Sequence, residues 1–186
     1  MSATALTFGF IPQMHPTGEA RANLFTVATG YAANLFKYAP VTLDTNGTIT
    51  AGATNADLIG VFAGCEYVDA TGVPTLSPYW PTGTTATNIK AYVWTDPSIV
   101  YTVCANGSIA QTAIGDQADL VNTTTGSTAT GLSASTLNAS LAGASSQGQF
   151  RIIGFDASPN NAVGDAYTVV QVQLARSEFV SNKVAV

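Results

Sequence analysis

The chain has 186 residues, enough for one domain with a core of its own. Hydrophobic residues make up 46% but charged residues only 9%, where about 25% is usual; that balance excludes the intrinsically disordered class, which needs the opposite one. The net charge is −5 and no cluster of Lys or Arg stands anywhere in the chain, so phosphate-neutralising nucleic-acid binding and membrane-surface attachment are both disfavoured.

Residues 1–22 read as an extended N-terminal arm ahead of a β-rich domain over 23–186. The arm carries Phe8, Phe10, Ile11, Pro12, Met14, His15 and Pro16. Its aromatics lack helical spacing and its prolines interrupt any ladder. Such arms lie on a neighbouring subunit or trail as tails. Phe8, Phe10, Ile11 and Met14 are therefore candidate anchors for a partner surface. Ala20 to Asn34, with its alanines, is the one stretch of any helical character, and a helix is not expected there.

The remaining signals are β. Leu35 to Leu43 reads as a strand, Asp44-Thr45-Asn46-Gly47 as a hairpin turn, and Thr48-Ile49-Thr50 as the return. In Leu58 to Val68, alternation places Ile59, Val61, Ala63, Cys65 and Tyr67 on one face. Gly60 and Gly64 mark bends or bulges where another backbone comes close. Asp69-Ala70-Thr71-Gly72 turns the chain, and Val73 to Leu76 pairs back. Ser77-Pro78-Tyr79-Trp80-Pro81-Thr82-Gly83 is a fixed loop holding two aromatics between prolines. Ile89 to Trp94 alternates, with Ile89, Ala91 and Val93 opposite Lys90, Tyr92 and Trp94. Asp96-Pro97 turns into Ile99 to Cys104, and Asn106-Gly107 turns again.

Leu120 to Phe150 contains no charged residue. Its Ser and Thr hydroxyls suit loops and short strands that satisfy their backbone locally, with Leu120, Leu132, Leu137 and Leu141 as anchors. Phe150 to Phe155 and Thr168 to Arg176 read as two closing strands, the second with Val170, Val172 and Leu174 on one face and Gln171 and Gln173 on the other. Short strands parted by frequent turns predict an all-β fold: a single compact β-barrel or sandwich-like domain with long Thr/Ser/Gly-rich loops and an extended N-terminal arm.

The low charge bears on function. Only three Lys (Lys37, Lys90, Lys183) and three Glu (Glu19, Glu66, Glu178) occur, and such a surface offers little repulsion between copies. It suits burial in interfaces, where Lys and Glu are depleted. The competing reading is a Thr-rich β protein with a neutral surface and no partner. The opening residues lack a basic start and an apolar run, so no export signal is expected. Folding in a cytoplasm follows, with Cys65 and Cys104 as reduced core thiols.

Chemistry is not visible. The one His, His15, lies in the arm beside Pro16 and reads as a surface or contact residue. Asp116 with Asp119, and Asp156 with Asp165, stand in turn-like contexts where Asp caps its own backbone. No catalytic, cofactor-binding or metal-binding residues are assigned. Tyr79 and Trp80 have three readings: a plug over one end of a barrel, a protein–protein anchor, and a sugar-stacking platform.

One ordered series of segments goes beyond composition. Leu58 to Asp69, Ser77 to Pro81, Ile89 to Pro97, Gly126 to Ser133, Gln149 to Phe155, the Asn160/Asn161 and Gly164 turn and Val170 to Glu178 together resemble the capsid cement, or decoration, proteins of tailed bacteriophages. The resemblance spans roughly Ala20 to Phe179. It implies a β-barrel-like fold, homo-oligomers (commonly trimers) on the outer surface of the capsid, the major capsid protein as partner, assembly in the host cytoplasm, and no enzymatic activity. Ala175-Arg176-Ser177-Glu178 stands where related chains often carry a His or Asn. The alternatives are another virion module, such as a head fibre or tail component, a carbohydrate-binding module built on Tyr79 and Trp80, and a hydrolase whose carboxylates meet only in the fold.

Overall fold

The computed structural model describes residues 5–121, 124–143 and 146–180. Residues 1–4 of the expected arm, and residues 181–186 with Lys183, lie outside them. Among the described residues, twelve strands form two six-stranded sheets, with every pair of named strands antiparallel.

The first sheet begins at β1 (Ile11–Met14), which pairs with β8 (Val100–Cys104). It continues through β12 (Val169–Leu174), β11 (Phe150–Phe155), β9 (Gln117–Val121) and β10 (Thr136–Leu141). The second begins at β2 (Ala22–Phe25) beside β7 (Ala86–Trp94), then β5 (Gly60–Asp69), β3 (Pro40–Leu43) and β4 (Ile49–Ala51). β6 (Pro74–Ser77) shares an edge of β5 with β3: β3 takes the Gly60–Val61 end and β6 the Cys65–Val68 end. The all-β expectation holds in its sandwich-like form, and among the described residues no pairing closes either sheet into a barrel. The only helical piece described is a 3-10 turn at Gln111–Ala113, and Ala20 to Asn34 holds β2 instead of a helix.

Local chemistry explains the hairpins. Gly47 takes φ +74°, a region open to glycine at little cost. The Asp44 carboxylate accepts the Asn46 N–H at 2.9 Å and the Thr48 N–H at 3.0 Å, fixing the turn between β3 and β4. Asp69 does the same between β5 and β6, accepting from Thr71 at 2.8 Å and Val73 at 3.0 Å.

β5 departs from simple alternation. Ile59, Phe62, Cys65 and Tyr67 pack into one core while Val61 packs into the other. The β5–β7 register shifts between Phe62 and Gly64 and again between Glu66 and Val68, and Gly60, between Ile59 and Val61, takes φ +153°. A Cβ on Gly60 would sit 1.9 Å from the Trp94 carbonyl oxygen, and one on Gly64 would sit 3.2 Å from that of Ser77. The close backbone approach is as expected; the single shared face is not, because a bulge moves the following side chains to the opposite side.

Two cores result. One lies on the first sheet, where Tyr101, Val103, Ala118, Leu120, Phe150, Ile152, Val170 and Val172 are buried. The other lies on the second sheet under Val27, Leu35 and Trp80. Leu137 joins the first core, whereas Leu141 is exposed. Tyr38 ties segments together from a left-handed conformation, φ +69°, rare for an aromatic residue. Its carbonyl accepts from Phe10 N at 2.9 Å, its N–H donates to Phe62 O at 2.8 Å, and its ring stacks on Trp94.

Candidate functional site

The N-terminal stretch is extended, but it runs along the chain's own sheet. Ile11 pairs with Thr102 and Met14 with Val100. Phe10 is fully buried and stacks on Phe150 with ring centroids 4.4 Å apart, so no neighbouring subunit can use it as an anchor. An aromatic side chain in reach of an unfilled core buries more area there than on a partner. Phe8 and Ile11 are half-buried. Of the four anchors expected in this stretch, only Met14 stands well out, at 59% exposure.

Tyr79 and Trp80 sit in a rigid loop. Trp80 and Leu35 exchange backbone hydrogen bonds of 2.8 and 3.0 Å, and the Tyr79 carbonyl accepts from the Ser77 hydroxyl at 2.5 Å. Trp80 is fully buried and edge-on to Tyr67 at 5.0 Å. Tyr79 is half-buried and stacks on Phe36 at 5.4 Å. Trp80 is thus a core residue of the second sheet. A sugar platform or a protein anchor needs an open ring face, and Trp80 has none.

His15 is lodged rather than free, its side chain 9% exposed. Nδ1 accepts the Thr17 N–H at 3.1 Å and lies 2.6 Å from the Thr17 hydroxyl, while Nε2 lies 2.9 Å from an Asp96 carboxylate oxygen. The imidazole thereby pins the end of β1 to the turn between β7 and β8. The Ser98 N–H beside Asp96, with His15 assisting, holds its carboxyl below the ordinary carboxylate range.

Three of the four acids read as pairs bind backbone amides. Asp119 accepts from Gln149 N, Asp156 from Ser158 N and Asp165 from Ala162 N, which are backbone-capping roles. Among the described residues no group of three or more His, Cys, Asp or Glu stands close enough to hold a metal ion. No described helix is long and apolar enough to cross a membrane.

The structure brings together a surface that the candidate residues do not include. Directly opposed residues on neighbouring strands share a face. Leu24 opposes Tyr92, Tyr92 opposes Gly64, Lys90 opposes Glu66, and Glu66 opposes Leu76. These rows lie on the side of the second sheet away from its own core. Further along that side, Val61 opposes Trp94, and both pack into the other core. The upper rows stay open: Leu76 is 80% exposed and Leu24 58%. Ala22, Lys37, Ala63, Leu76, Pro78 and Tyr92 line a shallow groove there. The alternation of Lys90, Tyr92 and Trp94 was the signal for this face; the strands beside them were not legible in the sequence.

Compared with protein-family models, curated proteins and solved structures, the chain matches none.

Proposed function

We propose that this protein is a structural, self-assembling component of a tailed-phage virion. In this reading it is a cement protein that binds the outer surface of the major capsid protein shell as a homo-oligomer and bridges neighbouring capsomers. The observation that carries the self-assembly in this reading is the open face of the second sheet, where Leu24 and Leu76 stand exposed, on a chain that is only 9% charged. An exposed face of this kind marks an interaction surface when its apolar residues are contiguous, and sparse charge lowers the desolvation cost of covering it.

A shell under internal pressure parts first where capsomers meet. A small rigid protein spanning that seam adds buried area on both sides, so opening one contact requires opening others. At about 25 cal/mol per Å² of apolar area, a few hundred Å² per contact offsets a substantial part of the association cost. Symmetric repetition multiplies the effect.

The test uses heads of the encoding phage assembled without this protein. Adding the purified protein should saturate the outer surface at a fixed number of copies and raise the temperature at which the heads release DNA. Heads that take up none, or that take it up only on the tail, would sink the cement reading; uptake on the tail would put the tail-component reading in its place.

A further inference from the structure

We propose that a second copy of this chain docks, across a two-fold axis, on the face of the second sheet formed by Leu24, Tyr92, Lys90, Glu66 and Leu76. The inference rests on the assembly reading in expecting self-association, and it names the surface, the occupant and the symmetry.

Three observations converge. The first is contiguity. Leu24 and Leu76 belong to different edge strands, β2 and β6, yet both project from one side of one sheet, with Tyr92 and the Ala63–Pro78 groove between them. Single exposed leucines are ordinary; here Leu76 lines the groove and Leu24 stands opposite Tyr92, which lines it too.

The second is the charge. Between the two leucines stands one ion pair, Lys90 Nζ to Glu66 Oε1 at 2.5 Å, with Lys37 at the groove's margin over the Tyr38 ring. A plus and a minus side by side complement themselves. Turned about a two-fold axis, each copy's Glu66 faces the other's Lys90, and neither charge is left without an opposite. A strongly acidic or basic partner would find no matching field here. A self-complementary patch closes as a dimer, because both copies use the same residues.

The third is the neighbouring edge. β2 has regular register against β7 and carries no proline and no charge. The other edge strands are each blunted. β1 carries Pro12 and a register shift, β10 carries a register shift, β4 has three residues, and β6 starts at Pro74. Natural proteins blunt edges to prevent unwanted pairing. Leaving β2 plain beside this face is consistent with a neighbour that covers it.

Light scattering on the full chain tests the proposal. The wild type should have twice the 19.0 kDa chain mass, and Leu76→Asp should have the single mass with unchanged circular dichroism. Glu66→Lys alone and Lys90→Glu alone should each weaken self-association by about tenfold or more, since each sets like charges opposite one another. An equimolar mixture of these two variants should recover a dimer, because the exchanged charges again face opposites. That recovery separates docking from a folding role, since an exposed ion pair contributes little to the fold. A stable trimer, a dimer that survives Leu76→Asp, or a mixture that stays monomeric overturns the two-fold assignment. A monomeric wild type that binds phage heads, and loses them on Leu76→Asp, also overturns it and gives the face to the shell. In that case the cement reading stands; a monomer that binds no heads removes both.

Discussion

Phe10 lies flat against Phe150, with ring centroids 4.4 Å apart and planes inclined by 24°. The two residues come from opposite ends of the chain, and both are fully buried. The N-terminal stretch is therefore part of the fold. Phe10→Ala should cost about 3–5 kcal/mol, the usual range for emptying a buried aromatic site. Urea unfolding followed by tryptophan fluorescence measures this directly. Deleting residues 1–16 should destabilise the domain by at least as much, because it also removes β1. A truncated protein with unchanged stability would show that β1 contributes nothing to the first sheet.

Gly60 gives the sharpest backbone prediction. Its φ is +153°, and a Cβ there would overlap the Trp94 carbonyl at 1.9 Å. Gly60→Ala requires the β5–β7 ladder to shift and should cost several kcal/mol or prevent folding. Gly72, with φ +84° and nothing within 4 Å, is the control: Gly72→Ala meets only conformational strain, about 1 kcal/mol. Thermal melts of both variants should rank them in that order.

Much of this fold was legible in the sequence because turns are local. Asp44-Thr45-Asn46-Gly47 and Asp69-Ala70-Thr71-Gly72 announce their hairpins, since the carboxylate caps amides two and four residues on. Gly60 and Gly64 announced close approach. Other features were hidden because they depend on partners distant in the chain. Phe10 looked like an anchor because Phe150 stands about 140 residues away. Ile59 and Val61 looked like one face because alternation assumes a ladder without bulges. Leu76 drew no attention because its exposure depends on β5 lying beneath it.

The two thiols should be silent in the native state. Burial pushes the Cys65 thiol up to about 12 and raises that of Cys104 as well, and thiolate is the reactive form. At pH 8 neither should react with an aromatic disulfide reagent until denaturant is added, when two thiols per chain should appear together. Rapid native labelling at either position would contradict the packing described for it.

Acid should unfold the protein through its turn carboxylates. The Thr48 N–H at Asp44, the Thr71 hydroxyl at Asp69 and the Ser98 N–H at Asp96 are the largest causes holding those carboxyls below their ordinary value near 3.8. A group whose folded value lies below its unfolded value stabilises the fold above the unfolded value and loses that contribution as pH falls through the folded one. The melting temperature should thus be flat from about pH 7 to about pH 5 and drop below about pH 4. Asp69→Asn should flatten part of that drop, which melts across the acid range would show.

The pairing of Ile11 with Thr102 sets a timetable for synthesis. On the ribosome the first strand emerges about ninety residues before the strand that receives it, roughly 5–20 s at common elongation rates. Phe10 must wait longer still for Phe150. During that interval an apolar, nearly uncharged nascent segment has nothing of its own to pair with. The expressing cell's chaperones, or the speed of translation, should therefore govern how much soluble protein a cell yields.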